Sequence, residues 1–208
     1  MTLAIRHCDD AIVVIDKPAG MLSVPGRGAD KQDCAWSRVR ESHPDALIVH
    51  RLDMATSGLL LFARDVQAQR RLSIAFADRE VKKRYVAVVH GRVEPGSAEI
   101  DLPLMADWPN RPRQMVDVEQ GKPSLTRYLV LGHDAATDTT RLALEPITGR
   151  SHQLRVHLMA IGHPIVGDGL YTAHHPMTSQ RLLLHACELV VPHPFSGETL
   201  TLRSDPPF

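Results

Sequence analysis

The chain is 208 residues long, enough for one domain or two closely joined halves around a real core. An apolar share of 43% beside 23% charged residues excludes a disordered polymer, and balanced charge (24 Lys+Arg, 24 Asp+Glu) excludes a uniformly basic nucleic-acid coat. RNA binding through local charge segregation stays open. Three widely spaced cysteines, Cys8, Cys34 and Cys187, offer neither a disulfide framework nor a CxxC metal knuckle. A reducing, cytoplasmic setting is the simplest expectation. The N-terminus does not read as a signal peptide, and no apolar run approaches a membrane span.

Ala11 to Ile15 reads as a short buried strand that ends at Asp16-Lys17-Pro18. Pro18 and Gly20 open a loop running through Pro25 and Gly28. Lys17 is either a surface lysine of that loop or a contact to substrate or structure. Gln32 to Glu41 is expected as a helix, closed before Pro44. The stretch from His50 to Arg64 follows. It sets Asp53 two residues after Arg51, before small and turn-forming residues, and then runs apolar from Leu59 to Ala63 at strand length. On spacing alone Asp53 reads as a cap or turn carboxylate paired with Arg51. A loop carboxylate backed by a buried strand also suits catalysis in a cleft.

Asp65 is placed to cap a helix to about Glu80, with Val66, Leu72, Ala75 and Phe76 as its apolar face. Tyr85 to His90 reads as a strand with Tyr85, Ala87 and Val89 on one face, where Tyr85 is by pattern a core filler. Asp101 to Gln114 reads as a proline-rich loop carrying Trp108, Arg111 and Arg113. Such residues suit single-stranded RNA, guanidinium to phosphate and indole to base, or a packed surface loop. Thr126 to Leu131 and Arg141 to Leu144 read as an antiparallel pair. Ser151 is expected to cap a helix reaching Ile161, stopped by Gly162 and Pro164. On it Arg155 flanks the Leu154, Leu158, Ile161 stripe, and a partly desolvated guanidinium there wants a carboxylate. Arg181 to Val190 and Thr199 to Leu202 complete the strands. Strands and helices do not alternate, so an α+β fold with a mostly antiparallel sheet is expected.

Basic residues cluster at Arg79, Lys82, Lys83, Arg84, at Arg111, Arg113 and at Arg64, Arg70, Arg71; each cluster is either a local RNA-facing patch or a solvated face, and Arg70-Arg71 reads as the latter. Twelve histidines raise a metal site, but there is no HExxH, His152 and His157 are five apart, and His174-His175 read as loop residues. GxxxxGK(S/T), GxGxxG and nucleophile motifs are missing, so no metal, nucleotide or other cofactor is expected.

His50-Arg51-Leu52-Asp53 followed by Thr56-Ser57-Gly58 resembles the catalytic motif of the RluA-type pseudouridine synthase family. The resemblance continues in chain order: Asp16 to Met21 with the N-terminal motif, Lys83 to Ala87 with the tyrosine motif, and Pro146 to His157 and Arg181 to Ala186 with the two C-terminal motifs. Several ordered motifs are stronger evidence than one short pattern. The resemblance implies a single catalytic domain over 1–208 without an N-terminal S4-like domain, its bent sheet flanked by helices around a central RNA-binding cleft. It implies isomerisation of uridine to pseudouridine in RNA, with no cofactor. Asp53 would be the catalytic carboxylate, Arg155 its partner and Tyr85 the ring packed on the flipped base. Arg51 would fill the space that base leaves, and Leu184 would line its pocket. Asp101 to Gln114 and Met54-Ala55 narrow the resemblance to members acting on two RNAs, at position 32 of the tRNA anticodon loop and position 746 of 23S rRNA. DNA, membranes and an obligate protein partner are not implied.

Two other readings compete with this one. An inactive RNA-binding or RNA-folding protein on the same scaffold would not need Asp53, Tyr85 and Arg155 together. A hydrolase would need a second carboxylate, to which no motif points.

Overall fold

The computed structural model describes residues 3–172 and 179–208; His174-His175 lie outside them. In chain order come β1 (Ala4–Cys8), β2 (Ile12–Lys17), α1 (Ala35–Ser42), β3 (Leu47–Ile48), β4 (Ser57–Ala63) and α2 (Val66–Ala77). Then follow β5 (Lys82–His90), β6 (Ser97–Asp101), β7 (Leu104–Ala106), β8 (Gln114–Val116), β9 (Leu125–Asp134), β10 (Thr139–Pro146), α3 (Gln153–Ala160), β11 (Leu184–Pro192) and β12 (Thr199–Arg203). A mostly antiparallel sheet with three α-helices among the described residues gives the expected α+β class. The chain divides into two compact units, Met1–Lys83 with His185–Pro207, and Arg84–Leu184 with Phe208.

The first unit is centred on β4, whose seven residues are all buried. Its unbroken run Leu59-Leu60-Leu61-Phe62-Ala63 fits a strand covered on both faces. β2 and β3 pair with it antiparallel and β11 pairs with it parallel. Gly58 sits opposite Ala186 with φ +112°, and a Cβ there would stand 2.3 Å from the Ala186 carbonyl oxygen. Only glycine lets the two backbones approach this closely. Ile12, Val14, Leu59 and Leu61 pack with Leu72 and Ala75 of α2 and with Leu189 and Val191 of β11. α2 begins as expected, with the Asp65 side chain accepting from Gln67 N and Ala68 N. It ends earlier than Glu80, because Arg79 takes φ 63°, and Val66 is 73% exposed rather than part of the buried face. α1 starts later than Gln32, because Cys34 and Ser37 form a reciprocal capping box.

In the second unit β10 pairs antiparallel with β5 and β9, and β9 with β6. Buried and half-buried residues alternate along β10, the period of a strand with one core face. Asp101 to Gln114 is not a continuous loop: it holds β7 and the start of β8, which pair with one another, Leu104 opposite Val116. Three-residue strands carry too few apolar positions to show in sequence. α3 is buried at every position from Gln153 to Leu158. Its N-cap is His152, in the left-handed region at φ 53°, and not Ser151. The first turn is closed by Gln153 instead: its Oε1 accepts from Arg150 N at 3.0 Å and Thr148 Oγ1 at 2.7 Å, and its Nε2 donates to Leu125 O and Thr126 Oγ1.

Candidate active site

The loop carrying Asp53 is pinned on both sides of that residue. Ser23 Oγ donates to Leu52 O at 2.7 Å and accepts from Leu52 N at 3.0 Å. On the other side, Met54 O accepts from Lys17 Nζ at 3.1 Å and from Gly20 N at 2.9 Å. Between these anchors Asp53 is half-buried, while Arg51 is exposed. Preorganising a carboxylate this way removes the entropy of searching for its geometry.

Lys17 narrows an alternative that the sequence leaves open. It is fully buried, and its ammonium donates to the carbonyls of Pro18, Met21 and Met54 at 3.0, 2.8 and 3.1 Å. It is not a surface lysine: it makes the structural contact among the readings left open, bracing the Asp53 loop from beneath. Burying a lysine is tolerable only where its protons meet acceptors, and backbone carbonyls supply them here.

The histidine of the same motif completes the strand. β3 ends at Ile48, and two residues on His50 Nε2 accepts the Leu61 N–H of β4 at 3.0 Å. The imidazole stacks on Phe76 with centroids 4.7 Å apart. Burial, then the positive charge of Lys83, pushes its pKa down to about 3, so it stays neutral and able to accept. Burial also lowers the pKa of Lys83.

In the second unit Arg155 is 5% exposed, as its place beside the apolar stripe suggested. Its guanidinium meets Asp168 in a bidentate pair, Nε to Oδ2 and Nη2 to Oδ1, both at 2.7 Å. This carboxylate was missed in sequence. Asp168 lies between Gly167 and Gly169 in an otherwise apolar segment, a pattern that marks a buried turn acid. Tyr85 is half-buried on β5, opposite Leu144 of β10. Leu184, which opens β11, is 2% exposed. On the segment between β7 and β8, Trp108 is 63% exposed with the Arg111 guanidinium 4.7 Å from its ring centroid. Arg113 lies over Tyr171 at 5.3 Å. An exposed indole with a cation on its face fits a base-stacking platform. Of the basic clusters, Arg70 and Arg71 are exposed, though Arg71 Nη1 also donates to Pro194 O at 2.7 Å, whereas Arg64 and Lys83 are half-buried, Arg64 bonding Asp45 Oδ2 and Asp9 O.

Residues 11–160 match the RNA pseudouridylate synthase family, across residues of both units. The chain belongs to that family, and so is an isomerase that makes pseudouridine in RNA. Among its relatives, the dual-specificity RNA pseudouridine synthase RluA of Escherichia coli (strain K12) is 51% identical over 159 residues, 76% of this chain and 72% of that protein. The protein of the same description from Pasteurella multocida is 52% identical over the same span. Of solved structures, human RNA pseudouridylate synthase domain containing 1 superposes with TM-score 0.83 at 30% identity, covering 99% of this chain and 84% of that one. Human RNA pseudouridylate synthase domain containing 4 gives TM-score 0.77 at 27% identity, over 98% and 88%.

Proposed function

We propose that this isomerase is a dual-specificity enzyme acting in the cytoplasm on uridines in the tRNA anticodon loop and a 23S rRNA loop. The observation that carries this reading is the 51% identity to a relative described as dual-specificity over three quarters of the chain. It is supported by the aromatic and arginine residues between β7 and β8, which suit unpaired RNA.

The reaction is an isomerisation: the N1–C1′ bond breaks, uracil turns, C5 bonds to C1′, and the C5 proton is given up while N1 gains one. Nothing is oxidised or condensed, so the chemistry asks for no redox group. The target base must first leave its stack. In this reading Asp53 is the catalytic carboxylate, acting at C1′ or on the C2′ proton, and its pinned loop fixes its position. Arg155 partners it electrostatically, Tyr85 packs on the flipped base, Arg51 occupies the vacated space and Leu184 lines the base pocket. Arg111 and Arg113 hold phosphates and Trp108 stacks on a base. The two units act as one catalytic domain.

The test is tritium release from RNA labelled at uridine C5, offering an anticodon stem-loop and the rRNA loop separately to wild type and Asp53→Asn. Release from both RNAs, abolished in the variant with RNA binding retained, is expected. Appreciable turnover by a pure Asn protein refutes the role of Asp53, and release from one RNA alone refutes dual specificity.

A further inference from the structure

One five-residue turn in the second unit holds two groups against Arg155. Asp168 supplies the bidentate carboxylate, and Asp168 O accepts the N–H of Tyr171 at 3.3 Å, which places the tyrosine ring 5.1 Å from the Arg155 guanidinium carbon. The same ring lies 5.3 Å from the guanidinium carbon of Arg113. Arg113 Nε is buried with no hydrogen-bond acceptor, so the contact with the ring contributes to holding that guanidinium. The Tyr171 hydroxyl is bound from two sides. It accepts the backbone N–H of Gln114, the first residue of β8, at 2.8 Å, and bonds His152 Nδ1 at 2.8 Å. The His152 ring meets Tyr171 edge-on, with an interplanar angle of 87°. Tyr171 is 5% exposed, so its ring and hydroxyl are almost wholly enclosed by protein.

We infer that Tyr171 is a positioning residue that couples the β7–β8 segment to Arg155. The hydroxyl fixes where β8 starts, and with it Arg113. The ring, together with Asp168, fixes the orientation of the Arg155 guanidinium. RNA engaged by the segment therefore bears on Arg155 through one rigid side chain, since an aromatic ring has two torsions to lose where an arginine has four. This rests on the roles proposed above for Arg155 and for the β7–β8 segment.

The experiment measures RNA Kd by filter binding and the saturating single-turnover rate on an anticodon stem-loop. The proteins are wild type, Tyr171→Phe, Tyr171→Leu and Arg155→Ala, with thermal melts of each. Tyr171→Phe keeps the ring and loses the hydroxyl bonds. It is expected to weaken RNA binding by about fivefold, the equivalent of one net hydrogen bond, with the saturating rate within about threefold of wild type. Tyr171→Leu removes the ring as well, and its saturating rate is expected to fall by a further tenfold or about that as Arg155 loses its alignment. A merely structural tyrosine would lower the melting temperature and leave Kd and rate per folded molecule unchanged, and that result overturns the inference. Should Tyr171→Leu fail to fold, Tyr171→Phe decides alone: an unchanged Kd overturns the coupling. If Arg155→Ala turns over like wild type, the assignment of Arg155 fails. If Arg155→Ala is slow while both Tyr171 variants behave as wild type, only the coupling fails.

Discussion

His50 makes a quantitative prediction about acid. Its Nε2 must be unprotonated to accept from Leu61 N, and its pKa is held at about 3 against an ordinary 6.5. The folded state therefore binds this proton less readily than the unfolded state. The His50 contribution is fully present above pH 6.5 and is lost as pH falls from there towards 3. At about 1.4 kcal/mol per pH unit, a drop to pH 5 costs about 2 kcal/mol for a ring wholly cut off from water. The imidazole keeps some exposed surface, which brings the expected cost to about 1–2 kcal/mol. His157 acts in the same direction, because burial also lowers its pKa, so a wild-type curve alone cannot isolate His50. The informative comparison is urea unfolding at pH 7 and pH 5 of wild type and His50→Gln, where the amide oxygen can accept from Leu61 N and does not titrate. The variant is expected to lose about 1–2 kcal/mol less than wild type between the two pH values. Equal losses would refute the argument, as would an NMR titration placing His50 near its ordinary pKa.

Two further substitutions test how the fold positions these loops. Gln153→Leu removes an acceptor serving Thr148 and Arg150 and a donor serving Leu125 and Thr126; about 2–4 kcal/mol of stability is expected to go, read as a lower urea midpoint at unchanged slope. Gly58→Ala places a methyl 2.3 Å from the Ala186 carbonyl oxygen at φ +112°, and is expected to cost about 3 kcal/mol or more or to prevent folding; a wild-type melting temperature would show that the strands separate easily.

How far the site could be read from the sequence follows from what kind of signal each residue leaves. β4 was legible because complete burial writes an uninterrupted apolar run, and α2 because Asp65 is a capping residue ahead of a helical period. The β9–β10 pair showed by alternation, and its register, Leu144 opposite Tyr128, falls within the expected segments. β1 left no such trace: it is an edge strand with mostly exposed residues, paired with β2 through backbone bonds that any side chain permits. β7 and β8 were hidden for a related reason, since three-residue strands show no period.

The site divides along the same line. The need of Arg155 for a carboxylate was readable, because burial beside an apolar stripe implies a counter-charge. That Asp168 pairs with it was not readable, because Asp168 is thirteen residues on and reaches it through a turn rather than along the helix. Lys17 shows the converse: its sequence surroundings, a strand end followed by Pro18 and Gly20, are those of a surface loop. Only the fold reveals that the loop carbonyls turn inward onto the ammonium. The same holds for Ser23 on Leu52, a hydroxyl with nothing in its neighbourhood to mark it. The motif around Asp53 is thus readable as a string of residue types, whereas what immobilises it is a set of backbone carbonyls and amides. Every residue carries those groups, so only tertiary structure can decide which of them are used.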